Sequence, residues 1–189
     1  MNYNSLAEDI HDNAKAKGFY DNPPSLTQRV NLLNTEITEA VEADREGKWF
    51  PKPEIVGNIR QLDDETFFAV YTAVLKPCFE AEIADVFIRL LDLVGYQKFD
   101  LDASIASWQA SQEEIETMKF PTDDLQGALL KLTCIATNIA DANYPIPLTR
   151  MFMALLEFCE QFKIDYHSAI ADKMRYNSLR SRMHGGKKY

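Results

Sequence analysis

Glycine is scarce in this chain, seven residues in 189, and cysteine is scarcer still at three. So few glycines leave little material for the tight turns of a many-stranded sheet, and alternating β-branched runs are also few. Apolar residues instead recur three and four apart over long stretches, which predicts an all-α helical bundle with no sheet. Cys78, Cys134 and Cys159 are odd in number, sit in apolar helical contexts and form no Cys-x-x-Cys pair. Buried reduced thiols are therefore expected rather than disulfides or a zinc site. The longest apolar run, near FFAVYTAVL, is too short to span a bilayer, and the opening MNYNSLAEDIHDN carries acids where a secretory signal needs an apolar core. A cytoplasmic protein with no membrane partner is expected.

The length suits one domain over residues 1–189, and 46% hydrophobic with 26% charged residues is ordinary for a globular protein. A net charge of −9 argues against a nucleic-acid partner. Basic residues nevertheless gather at the end, with six Lys or Arg and no acid over residues 173–189. Such a segment suits a small phosphate ester, or is simply a frayed, solvated terminus.

Periodicity and punctuation place helices near residues 4–17, 26–46, 64–94, 102–118, 124–141, up to about 162, and 166–183. Gly18, Gly47 and Gly95 are expected to end the first three, Ser25 to cap the second, PTDD to cap the fifth and Pro77 to kink the third. Residues 47–63, with two prolines and two glycines, read as a loop.

Two of these helices carry the same acidic figure. In LLNTEITEAVEADRE the apolar arc is Leu33, Ile37, Ala40 and Val41, with Glu36 and Glu39 at its edge. In EAEIADVFIRLLDL the arc is Ile83, Val86, Phe87, Leu90, Leu91 and Val94, with Glu82 and Asp85 in the matching place. Acids on a helix edge are usually solvated, but two matching pairs on core helices form an oxygen-only set suited to Mg²⁺ or Mn²⁺. Neither pair contains the Glu-x-x-His of di-iron bundles. Without a cation, four clustered carboxylates would raise one another's pKa.

A 65-residue shift lays residues 85–109 over 150–174 with seven identities, among them Phe87/Phe152, Lys98/Lys163 and Asp100/Asp165. A weaker match lays residues 32–44 over 129–141. The chain then reads as a tandem pseudo-twofold repeat, with a metal-binding half (26–118), a degenerate second half (123–183) and a basic tail (184–189). Glu36, Glu39, Glu82 and Asp85 fall opposite Thr133, Ala136, Pro147 and Arg150, while Lys173 and Asn177 fall opposite Trp108 and Gln112. One half keeps the acids and the other the cations, so one composite site at their junction is expected. A hard cation beside Lys and Arg points to phosphate chemistry.

Glu-x-x-Glu at 36–39, Glu-x-x-Asp at 82–85 and the closing KMRYNSLRSRMHGGKKY together resemble the MazG-like, all-α nucleoside triphosphate pyrophosphatase superfamily, which includes the dimeric dUTPases. The opening IHDNAKAKGFYD is similar to the N-terminal stretch of its MazG-like members, and the resemblance covers nearly the whole chain. It implies that Glu36, Glu39, Glu82 and Asp85 bind Mg²⁺ (or Mn²⁺) and that Lys173 and Asn177 contact a nucleoside triphosphate, with Arg180 and Arg182 assisting. It also implies hydrolysis to a nucleoside monophosphate and pyrophosphate, with Glu39 orienting the water. The chain departs from short MazG-like proteins in the longer spacing between acidic pairs, where a loop holding Trp49 is inserted. Trp49 either stacks on a nucleobase or packs down on its own domain. His11 and His184 read as surface or capping residues, and Tyr166, Tyr176, Met151 and Met153 as core. Three classes stay open: a Mg²⁺-dependent pyrophosphatase, a silent nucleotide-binding regulator and a helical interaction protein. A pseudo-dimer of this kind can stand alone or form a homodimer.

Overall fold

The computed structural model describes residues 2–110, 120, 124–141 and 146–183, and every regular element among them is helical. The helices are α1 (Tyr3–Ala16), α2 (Leu26–Arg45), α3 (Pro53–Arg60), α4 (Asp64–Val70), α5 (Phe79–Gln97), α6 (Leu101–Ala110), α7 (Leu125–Asp141), α8 (Ile146–Gln161) and α9 (Tyr166–Leu179). A π-helical turn, Tyr71–Leu75, lies between α4 and α5. None is long and apolar enough to cross a membrane among the described residues.

The centre of the bundle is α5, against which α1, α2, α8 and α9 all pack, while α2 also packs on α7. Its apolar positions Ile83, Val86, Phe87, Leu90, Leu91 and Val94 are all buried, as the arc predicts, and Ala81, Ala84 and Leu93 bury much of the remaining circumference. A helix apolar nearly all round is a core helix. A second, smaller core of Val56, Ile59, Phe67, Tyr71, Leu75 and Tyr176 joins α3 and α4 to α9. The capping box at Ser25 and Gln28 opens α2 as its sequence predicts, and Gly18 and Gly47 follow α1 and α2 at φ +86° and +67°.

The expected single helix over 64–94 is two helices. Proline has no N–H and its ring crowds the preceding turn. Ahead of Pro77 the chain widens into the π turn, where the Lys76 N–H donates to Tyr71 O at 2.8 Å, and Cys78 then goes extended to restart the helix as α5. Residues 53–60 form α3, with Pro53 at its start, where the expectation was loop. Gly95 does not end α5 but lies inside its last turn. The last helix ends at Leu179, and α6 is described only to Ala110, residues 111–118 of its expected extent lying outside the described residues. Cys78 and Cys159 are buried free thiols, but Cys134 is exposed on α7, because its position falls off that helix's apolar arc.

The junctions after α5 and after α8 share their local geometry. Lys98 and Lys163 adopt φ +51° and +56°, and Phe99 N and Ile164 N donate back to Val94 O (3.1 Å) and Cys159 O (2.8 Å). Asp100 and Asp165 each accept from the backbone N–H three residues on, of Ala103 (3.0 Å) and Ser168 (3.2 Å).

At Gly95 α1 comes close against α5: a Cβ there would come within 2.6 Å of Ala7 O and 2.8 Å of His11 Cβ. Gly95→Ala is therefore expected to lose about 1–3 kcal/mol in urea denaturation. Gly57→Ala in α3, where a Cβ would meet nothing within 4 Å, gains about 0.5–1 kcal/mol.

Candidate functional site

The two acidic pairs meet where α2 crosses α5. Carboxylate oxygens of Glu36, Glu82 and Asp85 lie within 4.8 Å of one another. They line one wall of a cleft of about 320 Å³, with Glu39 exposed on the same wall. The spacing of three within each pair turns both acids to the same side of their helix, and the core arcs of α2 and α5 bring those sides together.

The cations come from elsewhere in the chain. Lys173, only 2% exposed, reaches from α9 to form an ion pair with Asp85 Oδ2, and Asn177 and Arg180 follow at one and two turns along the same side of the cleft. From α5 itself, Arg89 Nε donates to Glu36 Oε1 at 2.9 Å. Three clustered carboxylates thus hold two cationic partners. The Glu82 carboxylate has neither hydrogen bond nor ion pair among the described residues, although the residue is 8% exposed and opens on the cleft. Asn177, equally buried, leaves its Oδ1 without a partner.

Burial first, and then the charges of Asp85, Glu39 and Glu36 against the opposing pull of Lys173, push the Glu82 carboxyl up to about 8. Burial and Asp85 likewise raise Glu36, with Arg89 opposing. For Lys173, burial disfavours the ammonium, but the charge and hydrogen bond of Asp85, with Glu82 and Glu36, outweigh it and raise its pKa. A buried carboxylate with no donor is costly to ionise unless a cation joins it. The donor set is oxygen only, so the residues present fit a hard divalent cation held by Glu36, Glu82 and Asp85, with Glu39 within the same cleft.

The rest of the lining is mixed polar and apolar. Ile10 and Ala14 of α1, Phe19 beyond it, Leu32 of α2 and Ile88 of α5 form a second wall, with Asn13 among them. At that end Asp92 accepts from Tyr20 Oη (2.7 Å) and pairs with His11 Nδ1 (2.9 Å), while Arg29 donates to Tyr20 Oη (2.6 Å). His11 therefore helps hold α1 on α5. It closes the chain's one Glu-x-x-His, Glu8 to His11, whose glutamate is exposed and outside the acidic group.

Two of the expected site residues are not in the lining. Trp49 stacks on Phe79 with ring centroids 4.3 Å apart, packing down on its own domain beside the start of α5. Arg182 pairs with Asp21 and lies against Gly18. The basic segment is not frayed over its described part: besides Lys173, Arg175 binds Asp64 and the Leu62 carbonyl, and the Lys17 ammonium donates to Ser178 O (2.6 Å) at the end of α9. His184 and the 184–189 tail lie outside the described residues. Tyr176 and Met151 are buried and Tyr166 and Met153 partly so, as expected.

Arg89, Asp92, Asn13 and Phe19 were not among the expected site residues. Arg89 and Asp92 continue the side of α5 begun by Glu82 and Asp85, at spacings of seven and ten from Glu82, so extending that face would have found them. Compared with protein-family models, curated proteins and solved structures, the chain matches none.

Glu82 makes a pH test available. Its folded pKa is raised, so between the ordinary carboxylate range and about 8 the folded protein holds a proton that the unfolded chain releases. In the cation-free protein this lowers stability as pH rises through that window. Glu82→Gln in chelator should therefore match the wild type near pH 4 and exceed it by on the order of 1–3 kcal/mol at pH 8. Parallel stability–pH curves for the two proteins would show that Glu82 is not held in this environment.

Proposed function

We propose that this protein is a Mg²⁺-dependent nucleoside triphosphate pyrophosphohydrolase, converting a nucleoside triphosphate and water to the monophosphate and pyrophosphate, with Mn²⁺ able to replace Mg²⁺. The observation that carries this reading is Glu82: a carboxylate 8% exposed, without a partner, facing a cleft beside Glu36 and Asp85. When bound, the cation supplies charge neutralisation for phosphate oxygens and a more acidic water. Glu36, Glu82 and Asp85 hold it. Lys173, Asn177 and Arg180 on the facing side bind the triphosphate oxygens, and the wall of Ile10, Phe19, Leu32 and Ile88 receives the nucleobase. Glu39, exposed at the edge of the acidic group, orients the attacking water and takes its proton. The water oxygen bonds to the α-phosphorus as the bond to the α–β bridging oxygen breaks, and pyrophosphate leaves with that oxygen.

Chain organisation supports a composite site. The acids come from α2 and α5; Lys173 and Arg180 come from α9 and its C-terminal turn, beside Arg89 of α5 and Lys76 just before it, and among the described residues none of α7 or α8 lines the cleft. The matching junctions at Lys98 and Lys163 support a tandem origin for the halves. One chain then carries both sides of the site, so a homodimer is not required to complete it.

The test is pyrophosphate release from canonical and modified ribo- and deoxyribonucleoside triphosphates with Mg²⁺. Wild type is expected to turn over at least one of them, Glu39→Gln to lose about 10²–10⁴-fold in kcat, and Lys173→Ala to lose activity with a raised KM. A wild type that binds nucleotides but releases nothing would replace the enzyme with a regulatory module. One that binds none would remove the nucleotide reading.

A further inference from the structure

We infer that Lys173 is the site's own exchangeable counter-ion: it occupies Asp85 in the cation-free protein, is displaced by the divalent cation, and is thereby freed to bind the anionic second ligand. This rests on the metal reading of the preceding subsection and adds to it an order and a coupling.

Lys173 Nζ is paired with Asp85 Oδ2, and Asp85 is one of the three residues whose carboxylate oxygens converge within 4.8 Å. A cation bound by one oxygen from each carboxylate would sit beside the ammonium, and like charges at such range repel strongly in a half-dry cleft. The two cations therefore compete for Asp85. Lys173 is well placed to yield, having a flexible four-carbon stem, whereas Arg89 is a planar donor bound to Glu36 on the cluster's other flank. Its exit lies along α9, where Asn177 with its unpartnered Oδ1 and then Arg180 line the same cleft. An ammonium released there joins Arg180 in a cationic pair that was not available before. The divalent cation thus creates the binding site of the polyanion, and by reciprocity the polyanion, by holding Lys173 away from Asp85, tightens the cation. Glu82, buried and without a partner, is the independent sign that the acidic group is made for a ligand that Lys173 alone does not replace.

The experiment is a Mn²⁺ titration of the full chain without nucleotide, by calorimetry or by the paramagnetic resonance of free Mn²⁺, on wild type, Lys173→Met and Arg180→Gln. Lys173→Met is expected to bind Mn²⁺ at least about fivefold more tightly than wild type. Arg180→Gln removes a charge from the same cleft without touching Asp85 and should gain markedly less. Cation-free Lys173→Met should also melt lower than wild type, having left Asp85 unpaired, and recover more on adding Mn²⁺. Should Lys173→Met not fold, Lys173→Gln, which keeps a donor for Asp85, is titrated instead.

Unchanged or weaker Mn²⁺ binding in Lys173→Met, with binding intact in wild type, overturns the exchange and leaves the metal reading standing. Equal gains in Lys173→Met and Arg180→Gln also overturn it, since a general field would then account for both. Failure of both Lys173 variants to fold even with Mn²⁺ makes Lys173 a fixed structural counter-ion. Absence of Mn²⁺ binding in the wild type itself removes the metal reading and the exchange with it.

Discussion

Glu82 and Asp85 stand on a helix whose other sides are almost wholly buried, and the surrounding bundle answers that constraint. Carboxylates in a dry wall are tolerable only with opposite charge close by. The fold meets this from two directions. Arg89, two turns along α5, holds Glu36 across the α2–α5 contact, and Lys173 reaches Asp85 from a helix more than eighty residues later in the chain. The docking of α9 on α5 is thus an electrostatic match as well as an apolar one. Arg60 strengthens that seat by gripping Asp172, the residue beside Lys173, through both carboxylate oxygens at 2.9 and 3.0 Å.

Where the acids sit along α5 depends on the break before it. Pro77 ends the preceding segment in a π turn, and the restart at Phe79 places Glu82 and Asp85 in the first two turns of the new helix. Negative charge near a helix N-terminus is favoured by the aligned backbone dipoles. Glu80 in the same turn accepts from Phe50 N at 2.8 Å, and Trp49 stacks on Phe79. The segment holding Trp49 is therefore fastened to the start of the acidic helix, and its tryptophan works as a clasp there.

Much of this was legible from residue spacing. The arcs of α2 and α5 predicted both their burial and the edge on which the acids stand, because a helix turns each residue by a fixed angle whatever surrounds it. Ser25, Gly18 and Gly47 marked ends through backbone chemistry that is equally local. Gly95 misled for the opposite reason: its missing Cβ serves the approach of α1 to α5, a need that no local pattern records. Cys134 misled because an apolar context along the chain is not the same as the apolar side of a helix.

Local periodicity alone determined that the chain is all-α, which faces of α2 and α5 are buried, and that two carboxylate pairs lie at their edges. Only the tertiary structure decided what faces those carboxylates. Lys173 was expected near them, but that Asp85 is its partner, that Arg89 takes Glu36, and that Glu82 is left without a donor follow from how α9 seats on α5. Trp49 had two readings, and the folded chain takes the one in which it packs down, on Phe79; Arg182, placed near the site by resemblance, pairs with Asp21. The physical reason is range: a helix's own face is set by bonds between residues four apart, whereas a charge partner is chosen by packing between segments that only the complete bundle brings together.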